Sequence, residues 1–279
     1  MSFRIGANSL LNKGGLRQSA QNRTRERKTL EKLSSGQRVN RAADDAAALA
    51  IASEMGGILK ALEQGMENVY DGLSMVQTAD GGLDSTTEQL HRMRELAVTA
   101  ASDVLNPEQR QAAQTEYESL RNEIDRTTAG LEFNGQRVLD GSAGTVEVAL
   151  GQGGGDAGSA IDLDFSRNMD SESLGLASTQ LDGPDGDNAR AAIDDIDRAL
   201  EAVSSQRAEF GGASNRLLSA NRGLAVAAEN TYASRSRIVD TDYARQAAEL
   251  TRQQITVQAG DAVTAQGQLI PSSVLNLLA

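Results

Sequence analysis

Apolar residues return at every seventh position along two long tracts of this chain. Ala48, Met55, Leu62, Val69, Val76, Leu83, Leu90 and Ala97 make the first series. A second seam, Leu59, Met66 and Leu73, completes the three–four heptad spacing and then gives way to Asp80, Thr87 and Arg94. The pattern predicts a helix over 42–104, roughly 95 Å long at 1.5 Å per residue, that needs partners along its whole length. Asn40 is placed to cap its start, and Asp44 and Asp45 complement the positive end of its dipole. The pairs Gly56-Gly57 and Gly81-Gly82 weaken it, by about 1 kcal/mol per Gly relative to Ala. A third series, Ile196, Val203, Phe210, Leu217, Leu224, Thr231 and Ile238, repeats the spacing in the second half of the chain. Its companion positions include Arg207, Ser214, Asn221 and Arg235, so one of its seams is wet or paired. Two heptad tracts from opposite halves of a chain pack most simply antiparallel, with the middle segment turning the corner.

Between them, Asn106, Pro107 and Glu108 read as N-cap, first helical position and acidic first turn of a helix ending near Thr128. The segment 130–187 is different material. Val146–Leu150 and Ile161–Phe165 alternate like strands. Gly153, Gly155 and Gly158 between them have dinucleotide-site spacing, but a strand follows where that site needs a helix N-terminus, so a hairpin loop is the better reading. Asp182, Asp185 and Asp187 lack the frame and closing Glu of an EF-hand and read as a solvated acidic loop.

Composition narrows the chemistry. The 279 residues contain no Cys and no Trp, three Pro, 27 Gly, one His and 3% aromatics. With few large apolar side chains to fill a globular core, Ala-rich and Pro-poor tracts suit long helices lying close together. Lack of Cys removes disulfides, thiol catalysis and Cys-based zinc sites. A single His91 removes histidine-rich metal centres, so neither cofactor nor metal is expected. The longest apolar run, Ala46–Ala52, is far short of the roughly 20 residues that cross a bilayer, and 1–25 lacks the apolar region of a secretory signal. If the chain leaves the cell, it is therefore expected to do so without a cleaved signal peptide, and no membrane insertion is expected.

Net charge is −12 and unevenly spread: 1–41 carries ten Lys/Arg and two Glu, whereas 140–200 carries thirteen Asp/Glu and three Arg. No nucleic-acid partner is expected, because the acidic remainder repels phosphates and no aromatic residues interleave with the basic ones. Both ends, 1–40 and 240–279, hold apolar residues too sparse to bury themselves alone, and Leu277 and Leu278 need a partner surface.

At this point the residues become recognisable. LEKLSSGQRVNRAADDAA (Leu30–Ala47), NVYDGLSMVQTADGGLD (Asn68–Asp84), MRELAV (Met93–Val98), EYESLRNEIDR (Glu116–Arg126) and FNGQRVLDG (Phe133–Gly141) resemble the N-terminal part of bacterial flagellins. SRSRIVDTDYARQ (Ser234–Gln246) and QITVQAGDAVTAQGQLIPSSVLNLLA (Gln254–Ala279) resemble their C-terminal signature. The resemblance covers 1–141 and 188–279 and implies a mainly α fold. It predicts a long antiparallel, coiled-coil-like helix bundle with a small β-hairpin region, and terminal helices paired as an inner domain. The domains expected are a discontinuous inner one at 1–40 and 240–279 and an outer bundle at 41–239, with the Gly/Asp-rich segment at 130–187.

The resemblance implies a structural subunit of the flagellar filament, extracellular, exported by the flagellar type III apparatus and without catalysis. Its termini are expected to order on assembly. Its main partner is itself, as a helical homopolymer, with an export chaperone, the filament cap and hook-associated junction proteins besides. Polymerisation is expected through Ile5, Leu10, Leu11, Leu16, Leu269, Val274, Leu275, Leu277 and Leu278. Ser34, Gly36, Arg38, Asn40, Asp44 and Asp45 would set the inter-domain junction. LHRMRELAV (Leu90–Val98) is similar to the motif through which flagellins meet the animal innate flagellin receptor, so Arg92, Leu96 and Glu116 are the candidate contacts.

This chain departs from many flagellins by lacking large outer domains, by an unusually basic stretch at Arg17–Lys32 and by ending in Ala279. Three other readings were weighed against the residues. A hook–filament junction protein shares the terminal helices, but the extreme C-terminus and Asn68–Asp84 favour flagellin. An enzyme needs an inserted domain that the short middle segment does not supply, and a coiled-coil adaptor would not self-polymerise.

Overall fold

The computed structural model describes residues 2–151, 160–183 and 185–276, and the side chains of 14–151, 160–183 and 185–266. The chain parts into two compact units, Ile58–Glu229 and the discontinuous pair Met1–Gly57 with Asn230–Ala279.

The first unit holds most of α2 (Ala46–Ala100) and α4 (Asp187–Val239), with α3 (Pro107–Gly130) beside them. Leu62, Val69, Val76, Leu83 and Leu90 of α2 are buried, as are Ile196, Val203, Phe210, Leu217 and Leu224 of α4. These are the heptad series read from the sequence, and α3 adds Tyr117 and Ile124 to the same core. The register is set by polar side chains where the second seam stops being apolar. Arg207 of α4 donates to Asp80 at 2.9 Å and Asp84 at 2.8 Å, and Arg94 donates to Asp197 at 2.7 Å. Rising numbers on α2 meet falling numbers on α4, so the two run antiparallel.

The α3 start carries a complete capping box. The Asn106 side chain accepts from the Gln109 amide at 2.8 Å, and the Gln109 side chain accepts from the Asn106 amide at 3.1 Å. One turn on, the buried Arg110 donates to the Ala100 carbonyl at 3.0 Å and the Ser102 carbonyl at 3.2 Å. These bonds satisfy carbonyls that a helix end leaves open, and α2 ends at Ala100 instead of near 104.

Two hairpins follow. Glu132–Phe133 (β1) pairs with Gln136–Arg137 (β2) around Asn134 (φ 51°) and Gly135 (φ 79°), a turn with both central residues left-handed. The heptad pattern does not predict this short hairpin, and its Asn-Gly pair is the local signal for it. Gly144–Ala149 (β3) and Ala160–Phe165 (β4) are antiparallel, with Gly144 opposite Phe165 and Ala149 opposite Ala160. Val148, Leu163 and Phe165 are buried, and the Phe165 ring lies 5.2 Å from that of Phe210. The hairpin sits so close to α2 that a Cβ at Gly72 would stand 2.8 Å from Val148 Cγ2, and one at Gly65 would stand 2.3 Å from the Leu150 carbonyl oxygen. These glycines, seven residues apart, leave the room in which the hairpin packs. Gly153, Gly155 and Gly158 lie outside the described residues.

In the second unit, α1 (Ser2–Ser35) runs antiparallel to α5 (Tyr243–Asn276). Among the described side chains their seam is largely polar. Ser19 donates to Asp261 Oδ1 at 2.8 Å, Arg23 to Asp261 Oδ2 at 2.9 Å, and Thr29 to Gln253 Oε1 at 2.8 Å. Ser19, Asn22 and Thr29 are buried there in place of large apolar residues. The exit from α1 is stitched to the segment after α4. The Arg38 amide donates to the Val239 carbonyl at 2.6 Å, the Thr241 amide donates to the Gly36 carbonyl at 2.9 Å, and Gln37 pairs with Asp240.

The cap of α2 is a correction. Asp45, not Asn40, accepts from the Ala48 amide at 3.0 Å and occupies the N-cap, while Asn40 donates to Ser35 Oγ at 2.8 Å. A tight turn closed by Arg41 and Asp44 lies between, with the Asp44 amide on the Arg41 carbonyl at 2.8 Å and the Arg41 amide on Asp44 Oδ2 at 3.2 Å. That turn delays the helix to Ala46.

Candidate assembly surfaces

The residues expected to drive assembly fall on the two terminal helices. Ile5, Leu10, Leu11 and Leu16 belong to α1, and Leu269, Val274 and Leu275 to α5. Leu16 is 55% exposed. The side chains of the other six lie outside the described residues, as do Leu277 and Leu278 altogether. Alongside Leu16, Leu30 of α1 and Ile255 and Val263 of α5 also stand exposed on this pair. Ile255 and Val263 were left out of the expected set, although each stands as an apolar residue in a polar stretch. Exposed apolar side chains on helices whose mutual seam is polar are surfaces suited to a further chain.

The residues expected at the junction make mostly local contacts. Gly36 (φ 69°) turns the chain out of α1, and Arg38 bonds through its amide to Val239 and through its guanidinium to the Ile238 carbonyl. Asn40 holds Ser35, Asp44 closes the turn and Asp45 caps α2. Ser34 is exposed, and the neighbouring Ser35 takes the hydrogen bonds instead.

The third group divides. Arg92 of α2 donates through Nε and Nη2 to Glu116 Oε1 of α3, at 3.0 and 2.8 Å, and through Nη1 to Glu95 at 2.9 Å. The Glu116 bond, then the Glu95 bond, raises the arginine's pKa further above its ordinary value. Both Arg92 and Glu116 are exposed, whereas Leu96 is buried in the core at 8% exposure. Sequence spacing does not separate these two situations, because Leu96 lies one position before the heptad residue Ala97 and within the same turn.

An open cleft of about 410 Å³ is lined by Asp125, Asp140 and Asp170, but these carboxylates already accept hydrogen bonds from Ser171, Ser142 and Ser173. Among the described residues no group of three His, Cys, Asp or Glu is placed to hold a metal ion, and no helix is long and apolar enough to cross a membrane. His91 is exposed on α2.

Comparison with known proteins agrees with this arrangement of long helices around a short middle segment. The family profile "Bacterial flagellin N-terminal helical region" matches residues 9–144, and "Bacterial flagellin C-terminal helical region" matches 193–278. Flagellin of Halalkalibacterium halodurans is 42% identical over 252 residues, covering 90% of this chain and 91% of the relative. Flagellin of Bacillus subtilis is 36% identical, covering 94% and 96%. The crystal structure of Bacillus cereus flagellin superposes with a TM-score of 0.50 at 30% identity, over 57% of this chain and 88% of that one. With both helical regions matched and relatives covered nearly end to end, the chain belongs to the bacterial flagellin family.

Proposed function

We propose that this chain enters the filament through the exposed apolar side of its paired terminal helices. It is a structural subunit of the extracellular flagellar filament and self-polymerises; it is not an enzyme. The observation that carries the reading of the contact is the composition of the α1–α5 seam. Ser19, Thr29, Gln253 and Asp261 hold the two helices together, so the apolar residues of the same helices (Leu16, Leu30, Ile255, Val263) are left for neighbouring subunits. The expected set Ile5, Leu10, Leu11, Leu269, Val274, Leu275, Leu277 and Leu278 belongs to the same contact.

In this reading the segment Ser34–Asp45 is the junction that follows the terminal pair, and its bonds to 238–241 hold it within that unit. The finer partners follow from the same ends: an export chaperone on the C-terminal helix, and the filament cap and hook-associated junction proteins on surfaces that other subunits also use. Arg92 and Glu116 form an exposed charged pair to which the animal innate receptor binds, with Leu96 supporting α2 from within the core.

Seeded polymerisation of purified monomer, read by electron microscopy, tests this. The full chain is expected to extend sheared filament seeds, whereas a chain lacking 1–40 and 240–279 stays soluble. A full chain that refuses to extend seeds, or only caps filament or hook ends, would overturn the reading in favour of a junction protein.

A further inference from the structure

Residues 1–41 carry ten basic and two acidic side chains, and Arg17, Arg25, Lys28 and Lys32 among them have no part in the seam or the junction. The α1 helix separates its polar residues by side. Ser19, Asn22 and Thr29 are buried toward α5. At 100° per residue, Arg17, Arg25, Lys28 and Lys32 fall within an arc of about 80° on the other side. Arg17, Arg25 and Lys28 are exposed, and Lys32 is half-buried. Among the described residues none of these four makes an ion pair. Of the acidic groups near them, Glu31 pairs with Arg41, Asp261 with Arg23 and Glu249 with Arg252.

Four cations held in one stripe repel one another and gain nothing within the chain, so the favourable use of the stripe is an anionic surface outside it. Such a surface exists on every other copy: 58–229 carries thirty acidic against thirteen basic side chains, a net charge of −17. Exposed carboxylates there include Glu63, Glu67 and Asp71 on α2.

We infer that the Arg17–Arg25–Lys28–Lys32 stripe of α1 is an electrostatic docking surface for the acidic bundle of a second copy, and that it lowers the subunit concentration needed for filament growth. This rests on the filament reading above. The apolar contacts supply the non-directional attraction, and the stripe selects which face of a neighbour is met, because opposing a cationic face to another cationic face is unfavourable.

The test uses full-length monomer, sheared filament seeds and a salt series from 0.05 to 1 M NaCl, with the critical concentration for growth as readout. A triple variant, Arg17→Gln, Arg25→Gln and Lys28→Gln, removes the exposed charges with residues that favour helix. Its critical concentration is expected to exceed that of the parent about ten-fold at 0.05 M salt, and the ratio is expected to shrink toward one at about 1 M, where screening acts within about 3 Å. Replacing the two arginines by Lys, which keeps the charge, restores growth. Neutralising Lys60, Arg216 and Arg222 instead, which makes the bundle more acidic, does not raise the critical concentration. Circular dichroism of each monomer separates a folding defect from an assembly defect.

A ratio near one at low salt, or a ratio that does not change with salt, overturns the inference. So does a parent chain that shifts a DNA duplex at 0.1 M salt through the same residues while its triple variant polymerises normally. A parent chain that never extends seeds fails the filament reading itself, which is a separate and visible outcome.

Discussion

Gly72 and Arg207 show how single residues fix this molecule. In an isolated helix Gly72 is a defect, weakening it by about 1 kcal/mol relative to Ala. Against the hairpin it is a requirement, since a Cβ there would press to 2.8 Å from Val148. Replacing Gly72 with Val should destabilise the monomer by about 2 kcal/mol through overpacking, read as a lower urea midpoint with an unchanged slope. The same substitution at Gly56 meets open space and should cost only the local helix preference. Arg207 makes the opposite use of a seam. It spreads its guanidinium over Asp80 and Asp84, which raises its own pKa further, the Asp80 hydrogen bond foremost. The sequence showed a polar interruption at Asp80 and at Arg207 and could pair them by type; which of several acids met which arginine was settled by the helix register.

At the scale of elements, α2, α3 and α5 begin where a side chain accepts one of the first free amides. Asn106 was legible in the sequence because Pro107 and Glu108 follow it as an N-terminal signal, to which the structure adds Gln109. The start of α2 was not, because Asn40, Asp44 and Asp45 are all competent caps, and the Arg41–Asp44 turn gives the role to Asp45. Asp45→Ala should therefore cost about 1 kcal/mol and speed amide hydrogen exchange at Ala46–Leu49, whereas Asn40→Ala should leave exchange there unchanged. Equal exchange in both variants would contradict this cap. The short β1–β2 hairpin escaped the heptad reading for a different reason. Two-residue strands have no periodicity, so only the Asn134-Gly135 turn announces them.

For the whole molecule, the two units are held by different chemistry, and they should answer differently to pH. The bundle is sealed by apolar heptads, whereas α1 and α5 meet through hydrogen bonds and an ion pair at Asp261. The Arg23 hydrogen bond, then that of Ser19, lowers the Asp261 pKa below its ordinary value. A carboxylate whose folded pKa is lowered contributes stability above its unfolded pKa, near 4, and loses it as pH falls through the lowered folded value. Acidification below about pH 4 should thus loosen the terminal pair before the bundle melts. Hydrogen exchange across α1 and α5 at stepped pH checks this: the D261N variant should lose that acid sensitivity at these helices while its bundle helices behave as in the parent. Loss of bundle protection first would refute it.

Much was determined by the sequence alone. Seven-residue spacing in two tracts dictates long helices and names the residues between them, because burial of one helix face depends only on which side chains share it. The terminal motifs carried the family, and the lack of Cys and the single His91 removed whole classes of chemistry. Tertiary structure decided what spacing leaves degenerate. It put Leu96 in the core and left Arg92 and Glu116 outside as a pair, gave the cap of α2 to Asp45, turned Gly65 and Gly72 from weaknesses into a packing slot, and matched Arg207 with Asp80 and Asp84. Each of these depends on a distance between residues far apart in the chain, and one-dimensional periodicity fixes a direction around a helix but not what stands opposite.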